Sequence, residues 1–395
     1  MLTMYIGGFS ILILLIILIV VYLKDTDYQQ IEIEDVLLTK EELMNHGREL
    51  GIKHSIGKKV DVKDFFISNL DKNFKEIEKI YLKLNNAAND NEELPKATEW
   101  LLDNFYIIEL QYKGLKRSLK TQKNMALNVL SEGQLKGYPR VYILALELIS
   151  HTEGLITEND IISFISASQR ENTLSIKEVS TISMMLSIAL LEYTKNTCNK
   201  IYNTKVIWDK ADAISLSYIL DLENDIRYKL NMGTTFLQRI YFRLRKTGED
   251  SKIAILEKKL NYLGTSIKNV IENEYNRQSI TRLEIGNCIT SLKNISNLDW
   301  ESIFESLCVV ERILKKDPLQ VYENMDLETK NYYRFHVQKM AKTMKTKETV
   351  VAKLALELAM NSYDKENRNK ESHIGYYIID VGRSKVFESL SKRDN

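Results

Sequence analysis

Two groups of side chains in this 395-residue chain have the types and spacing to do chemistry. The first lies in Gly137-Tyr-Pro-Arg-Val-Tyr-Ile-Leu-Ala-Leu-Glu-Leu-Ile-Ser-His-Thr-Glu-Gly154, where Arg140, Glu147 and His151 interrupt an otherwise apolar run. Glu147 and His151 stand at i and i+4, so a helix sets them one turn apart on one face, within reach of each other. They are read first as a helix-internal polar pair. The second group is Glu99, Trp100 and Asp103. An aromatic ring with carboxylates beside it can contact a sugar, because C–H faces stack on the ring while the acids accept hydroxyl protons. Trp100 also belongs to a stripe with Leu101, Phe105, Ile108, Tyr112 and Leu115, and aromatics at helical spacing are more often core.

Other reactive patterns are weak. Cys198, Cys288 and Cys308 are odd in number and lack C-x-x-C or Cys/His ligand spacing, which argues against a disulfide framework or a zinc motif. The histidines, His46, His54, His151, His336 and His373, are scattered, so neither a metal nor another cofactor is expected. Asp25-Thr-Asp27 spells the D-x-D that holds the metal of a nucleotide sugar in some glycosyltransferases. There the motif follows a buried strand; here it adjoins a long apolar run and reads as a solvated linker. The sequence contains no Gly-rich phosphate loop, nucleophile elbow or HExxH.

The elements that must position these groups are helices. Val141, Leu144, Ala145, Leu148 and Ile149 recur at i, i+3, i+4, i+7 and i+8, and Leu146 widens the stripe, so the helix carrying Glu147 should be covered on most sides. Gly137 and Pro139 supply the sharp turn into it, and Gly154 its stop. Three prolines and fifteen glycines in the chain fall below the roughly 5% and 7% of ordinary proteins, which disfavours a strand-rich fold. The net charge of +1, from 55 basic and 54 acidic residues, provides no field for nucleic acid, which is not expected as a partner.

From Met4 to Leu23 no residue is charged, a length of helix that matches one bilayer. No basic region precedes it and no small-residue cleavage pattern follows, so it reads as a retained anchor. Lys24 is the first basic residue and places the bulk of the chain in the cytoplasm by the positive-inside tendency. The expected fold is all-α, an N-terminal transmembrane helix followed by a multi-helix bundle or array. Its expected parts are an anchor over 1–23, in contact with the lipid bilayer through residues 4–23, a linker and N-terminal helices over 24–93, a helical domain over 94–383 and a polar tail over 384–395. The chain is thus expected at the cell membrane as a single-pass protein.

Helix starts are legible along the way. Thr39-Lys-Glu-Glu42, Thr157-Glu-Asn-Asp160 and Ser175-Ile-Lys-Glu178 are capping boxes or close variants. Asp61, Asp299 and Asp326 read as further helix starts, and Asp317-Pro318 reads as an N-cap with an N1 proline opening a helix over 319–325. Separate helices are expected around 210–229, 234–245, 252–263 and 265–276, with Gly264 as the break between the last two, and another over 350–360. The polar run 86–93 marks a break between units.

Several segments together resemble the amino-terminal portion of cyclic β-1,2-glucan synthases, large membrane enzymes that use UDP-glucose. They are Glu99-Trp-Leu-Leu-Asp-Asn-Phe-Tyr-Ile-Ile-Glu109, the 138–154 block, Gly286-Asn-Cys-Ile-Thr-Ser-Leu-Lys293 and Leu298-Asp-Trp300. Val310-Glu-Arg-Ile-Leu-Lys-Lys-Asp-Pro318, Met325-Asp-Leu-Glu-Thr-Lys-Asn-Tyr-Tyr-Arg334 and His373-Ile-Gly-Tyr-Tyr-Ile-Ile-Asp380 complete the set. The resemblance implies a helical region that precedes the glycosyltransferase domain, so no catalytic residue is carried over. It implies a truncated or split synthase, or a free-standing relative, that scaffolds or docks a UDP-glucose-dependent glycosyltransferase, here a separately encoded partner. Asn104, Arg140, His151, Asn287, Asp326, Arg334 and His373, the polar groups of these blocks, are expected at helix junctions or as docking contacts. The rival readings are a glycosyltransferase active by itself and a helical interaction module unrelated to glucan.

Overall fold

Short polar side chains set the helix starts. Thr39, Thr157 and Ser175 each accept a backbone N–H three residues on, and Glu42, Asp160 and Glu178 return a bond to the cap's own N–H. These reciprocal bonds satisfy backbone donors that an α-helix leaves open at its first turn. Ser266, Asp299 and Asp326 cap three further helices through one side-chain acceptor each.

The computed structural model describes residues 36–214, 233–262, 264–363 and 369–393. In chain order they form α1 Lys40–Lys53, β1 Ile56–Asp61, α2 Lys63–Asn89, α3 Ala97–Thr121 and β2 Ala126–Leu130. Next come α4 Arg140–Ser150, α5 Glu158–Ser168, α6 Ile176–Ser180, α7 Ile182–Ala213, α8 Gly233–Lys246 and α9 Asp250–Tyr262. The last part contains α10 Ile267–Asn294, α11 Trp300–Leu307, α12 Val309–Leu314, α13 Leu327–Thr343, α14 Glu348–Asn361, α15 Ile374–Ile378 and α16 Arg383–Arg393.

Helix α7 is the spine: α2, α3, α4, α8 and α10 all pack on it. Every residue of α4 is buried, as its apolar circumference requires. Gly137, with φ of +90°, makes the turn into α4, and Pro139 stands as the N-cap while Arg140 begins the helix. Helix α1 lies on α5 at a distance only glycine permits: a Cβ on Gly47 would come within 2.8 Å of the Phe164 carbonyl oxygen, and one on Gly51 would collide with that of Ser168. Around α14, helices α12, α13 and α15 form a second layer of packing.

Three expectations need correction. The transmembrane helix is not supported: among the described residues no helix is long and apolar enough to cross a membrane, and the 4–23 run itself lies outside the described residues, as does the D-x-D of 25–27. The all-α expectation otherwise holds for the described residues, with one addition: β1 and β2 pair antiparallel, with Lys59 opposite Asn128 and Val60 opposite Leu127, and a bulge between Ile56 and Lys59. The helix expected over 319–325 is instead a turn and a single 3-10 turn at Tyr322–Asn324, because the Asp317 carboxylate is drawn into the core. Finally, α7 is one helix of 32 residues that reaches Ala213, whereas a separate helix was expected from 210; residues 215–232 lie outside the described set.

Candidate functional site

Helix α4 carries a polar assembly at each end. At its start, Arg140 is 4% exposed and Glu178, the capping acid of α6, is 1% exposed. The guanidinium donates from Nε to Glu178 Oε1 at 2.6 Å and from Nη2 to Oε2 at 2.9 Å. Its remaining donors reach the carbonyls of Thr173 at 2.8 Å and Asn172 at 3.3 Å. Glu178 also accepts from Ser175 and from Asn128 of β2. Burial pushes the Glu178 carboxyl up, but the Arg140 and Ser175 hydrogen bonds outweigh it and leave its pKa below the usual carboxylate value. A cleft of about 560 Å³, lined by Lys59, Arg140, Lys177, Gln338, Lys342 and Glu348 among others, opens beside this pair. The arginine in its wall is already committed to an internal partner.

At the other end of α4, Glu147 and His151 meet His46 of α1. His46 Nε2 donates to Glu147 Oε2 at 2.8 Å, and His151 Nε2 lies 3.4 Å from the same oxygen. The two imidazoles meet edge to face with centroids 4.6 Å apart. His151 Nδ1 donates to the Val36 carbonyl at 2.7 Å, and Leu38 N–H donates to the His151 carbonyl at 3.1 Å, so the chain before α1 clasps this histidine from both sides. Burial would raise the Glu147 pKa, yet the His151 and His46 hydrogen bonds hold it down to about 2. Burial drives the nearby His54 down to about 4, which keeps it neutral near pH 7. One nitrogen from each of His46 and His151 and one Glu147 oxygen lie within 4.8 Å of one another, a set able to hold a metal ion. The sequence pairing of Glu147 with His151 was therefore incomplete. Its third member, His46, sits next to buried Leu43 and Gly47 on α1, and only its place on that inward face hinted at it.

Arg334 and His373 join a third network. Glu311 of α12, 0% exposed, accepts from Arg334 Nε at 2.8 Å and from the Tyr322 hydroxyl at 2.8 Å. Asp317, 2% exposed, accepts from His373 Nδ1 at 2.8 Å, from the Ile374 N–H at 2.9 Å and from the Val321 N–H at 3.0 Å. The Tyr333 hydroxyl completes the chain at 3.0 Å from His373 Nε2. With Nδ1 donating to a carboxylate, a neutral His373 presents a lone pair at Nε2, and Tyr333 is the donor. These bonds tie the 317–325 turn to α13 and to the start of α15.

The remaining candidates stand apart. Asn287 donates to the Glu153 carbonyl at 3.1 Å and joins α10 to the turn after α4. Asp326 caps α13 from an exposed position. Asn104 donates to the Trp100 carbonyl within its own helix. Trp100, 39% exposed, lays its ring over Gly286 of α10, where an added Cβ would sit 3.6 Å from the ring. Glu99 and Asp103 are exposed. The candidates thus divide between three buried networks and several separate positions and do not converge on one site. Sequence reasoning missed Glu178, Glu311 and Asp317 as the buried partners of Arg140, Arg334 and His373; Glu178 and Asp317 were noticed only for their capping positions.

No family model matches the chain. It is 25% identical over 336 residues to the cyclic beta-(1,2)-glucan synthase NdvB of Rhizobium meliloti (strain 1021), a match that covers 81% of this chain and 12% of that protein. The chain is homologous to a region of a cyclic glucan synthase, and it spans only that small part of the relative's length.

Proposed function

We propose that this chain is the counterpart of a helical, non-catalytic region of a cyclic β-1,2-glucan synthase, and that it scaffolds or docks a UDP-glucose-dependent glycosyltransferase. The observation that carries this reading is the match over 81% of the chain to a stretch that is 12% of a synthase. A second support is the use made of the buried polar groups. Arg140, Glu178 and Asp317 spend their hydrogen bonds on neighbouring side chains and backbone groups, and Arg334 pairs with Glu311 although Arg334 Nη2 and Glu311 Oε1 are left without a partner; the bonds that are made join separate helices and fix their positions.

Two measurements test the reading. The full chain, incubated with labelled UDP-glucose and a divalent metal, should incorporate no label above a no-protein control; incorporation would show a transferase active by itself and overturn the proposal. Supplied in trans to a cyclic glucan synthase lacking the homologous stretch, the chain should restore glucan formation. No restoration and no co-purification with that enzyme would leave the docking role without support and reject it.

A further inference from the structure

We propose that His46, Glu147 and His151 form a binding site for a divalent transition-metal ion of the zinc class, with two imidazole nitrogens and one carboxylate oxygen as ligands. Nothing in the reading of the chain as a synthase region requires such a site, and the inference stands independently of it.

The donor set is the first ground. Two histidines and one carboxylate are a recurrent three-ligand set for zinc and for iron(II), with remaining positions left to water. His46 keeps a quarter of its side chain exposed while Glu147 and His151 are nearly enclosed, so solvent can reach the ion past His46.

The separations are the second ground. Bonds of about 2.0–2.1 Å at tetrahedral angles put donor atoms about 3.3 Å apart. Here Glu147 Oε2 lies 2.8 Å from His46 Nε2 and 3.4 Å from His151 Nε2. All three donors lie within 4.8 Å of one another, so the first distance must open by a few tenths of an ångström and the two imidazoles must stay within that span, both within reach of side-chain adjustment.

The third ground is the tautomer of His151. A carbonyl oxygen only accepts, so the 2.7 Å contact with Val36 requires a proton on Nδ1. Nε2 is then the ring nitrogen turned toward the Glu147 carboxylate, 3.4 Å away, and the one placed to serve as a ligand. The bond to the Val36 carbonyl is also the outer support that metal-bound histidines ordinarily have, since it fixes both ring orientation and tautomer. His46 needs one change: the proton that Nε2 now gives to Glu147 moves to Nδ1 or leaves to solvent when the ion takes its place.

The competing account is that the cluster is a hydrogen-bonded clasp, with an extra proton on His151 in place of the metal. Equilibrium dialysis of the full chain against Zn²⁺, followed by elemental analysis, separates the two. Co²⁺ provides a second readout through the visible absorption of its low-symmetry complexes. The proposal expects about one equivalent bound, and at least about tenfold weaker binding in His46→Gln and His151→Gln, with His336→Gln unchanged. Far-UV circular dichroism checks that each variant is folded. His46→Gln is the decisive variant because its side chain is the most exposed of the three, and removing it disturbs the core least. Absence of binding by the unmodified chain, or equal binding in a folded His46→Gln, would overturn the site.

Discussion

Replacing Arg140 with methionine keeps most of the side-chain volume and removes its charge. Glu178 would lose bonds of 2.6 and 2.9 Å, and the Thr173 carbonyl would lose its donor at 2.8 Å. The carboxylate, 1% exposed, would keep Ser175 and Asn128 as donors, so its desolvation would be only partly offset. Breaking one side of a buried ion pair costs about 3–5 kcal/mol; because Glu178 keeps these neutral donors, the lower part of that range is expected. Glu178→Met should cost a similar amount, since it strands the guanidinium and removes a capping acid. The double variant should cost less than the sum of the two by about 2 kcal/mol, because no unpaired charge is left. Urea unfolding followed by circular dichroism, with the slope checked for constancy, measures all three. The pH dependence has a definite sign. Glu178 is held below its ordinary pKa, so its contribution is full above the unfolded value of about 4.3 and disappears as pH falls through the folded one. The double variant should lose that part of the acid sensitivity. An Arg140→Met cost under about 1 kcal/mol, or strict additivity of the two changes, would show that the pair does not act as argued.

Three other outcomes are expected. His54, whose folded pKa burial lowers to about 4, takes up its proton first in the unfolded chain, so stability should be full above about pH 6.5 and fall by about 3 kcal/mol toward pH 4. Urea midpoints in chelator should show this, and an equal slope in His54→Asn would refute it. Gly51→Ala places a methyl against the Ser168 carbonyl and should cost about 3 kcal/mol by forcing α1 from α5; a thermal midpoint within 2 °C or so of the unmodified chain would contradict it. Cys198, Cys288 and Cys308 are buried, and burial pushes all three thiols up, Cys288 to about 12 and Cys308 to about 11, so iodoacetamide should label none of them before unfolding. Mass spectrometry of the folded chain checks this.

The parts of the fold legible in sequence are those whose causes are local. The α4 helix announces itself by an apolar run between Gly137 and Gly154, and α1, α5 and α6 by capping residues three positions from an acid. The strands were hidden because Ile56–Asp61 is almost wholly exposed and shows no inside–outside alternation. Asp317 misled for a different reason. Its local pattern with Pro318 is a sound helix start, but the side chain is claimed by His373 and Ile374, far along the chain, and the helix does not form. The same limit hid His46: its partner Glu147 is 101 residues away, and no spacing rule spans that distance.

Those distant links also bear on how the chain selects its own arrangement. The apolar residues of α4, α7 and α14 are mostly leucine, isoleucine, valine and alanine, types that exchange at modest cost when volume is kept. Such surfaces favour compactness more strongly than one particular pairing of helices. Directional contacts discriminate further. Arg140 meets Glu178 across 38 residues, Glu147 meets His46 across 101 and His373 meets Asp317 across 56; a slip of one helical turn at any of these would leave a buried charge without its partner, at a cost of several kcal/mol. The networks therefore set register between elements that hydrophobic burial holds together. For a chain whose proposed work is to position another domain, fixed register is the property that counts. Binding lost on substituting Arg140 or Asp317 would consequently report a displaced helix, and contact with a partner is read only from changes at exposed positions that leave the unfolding midpoint unmoved.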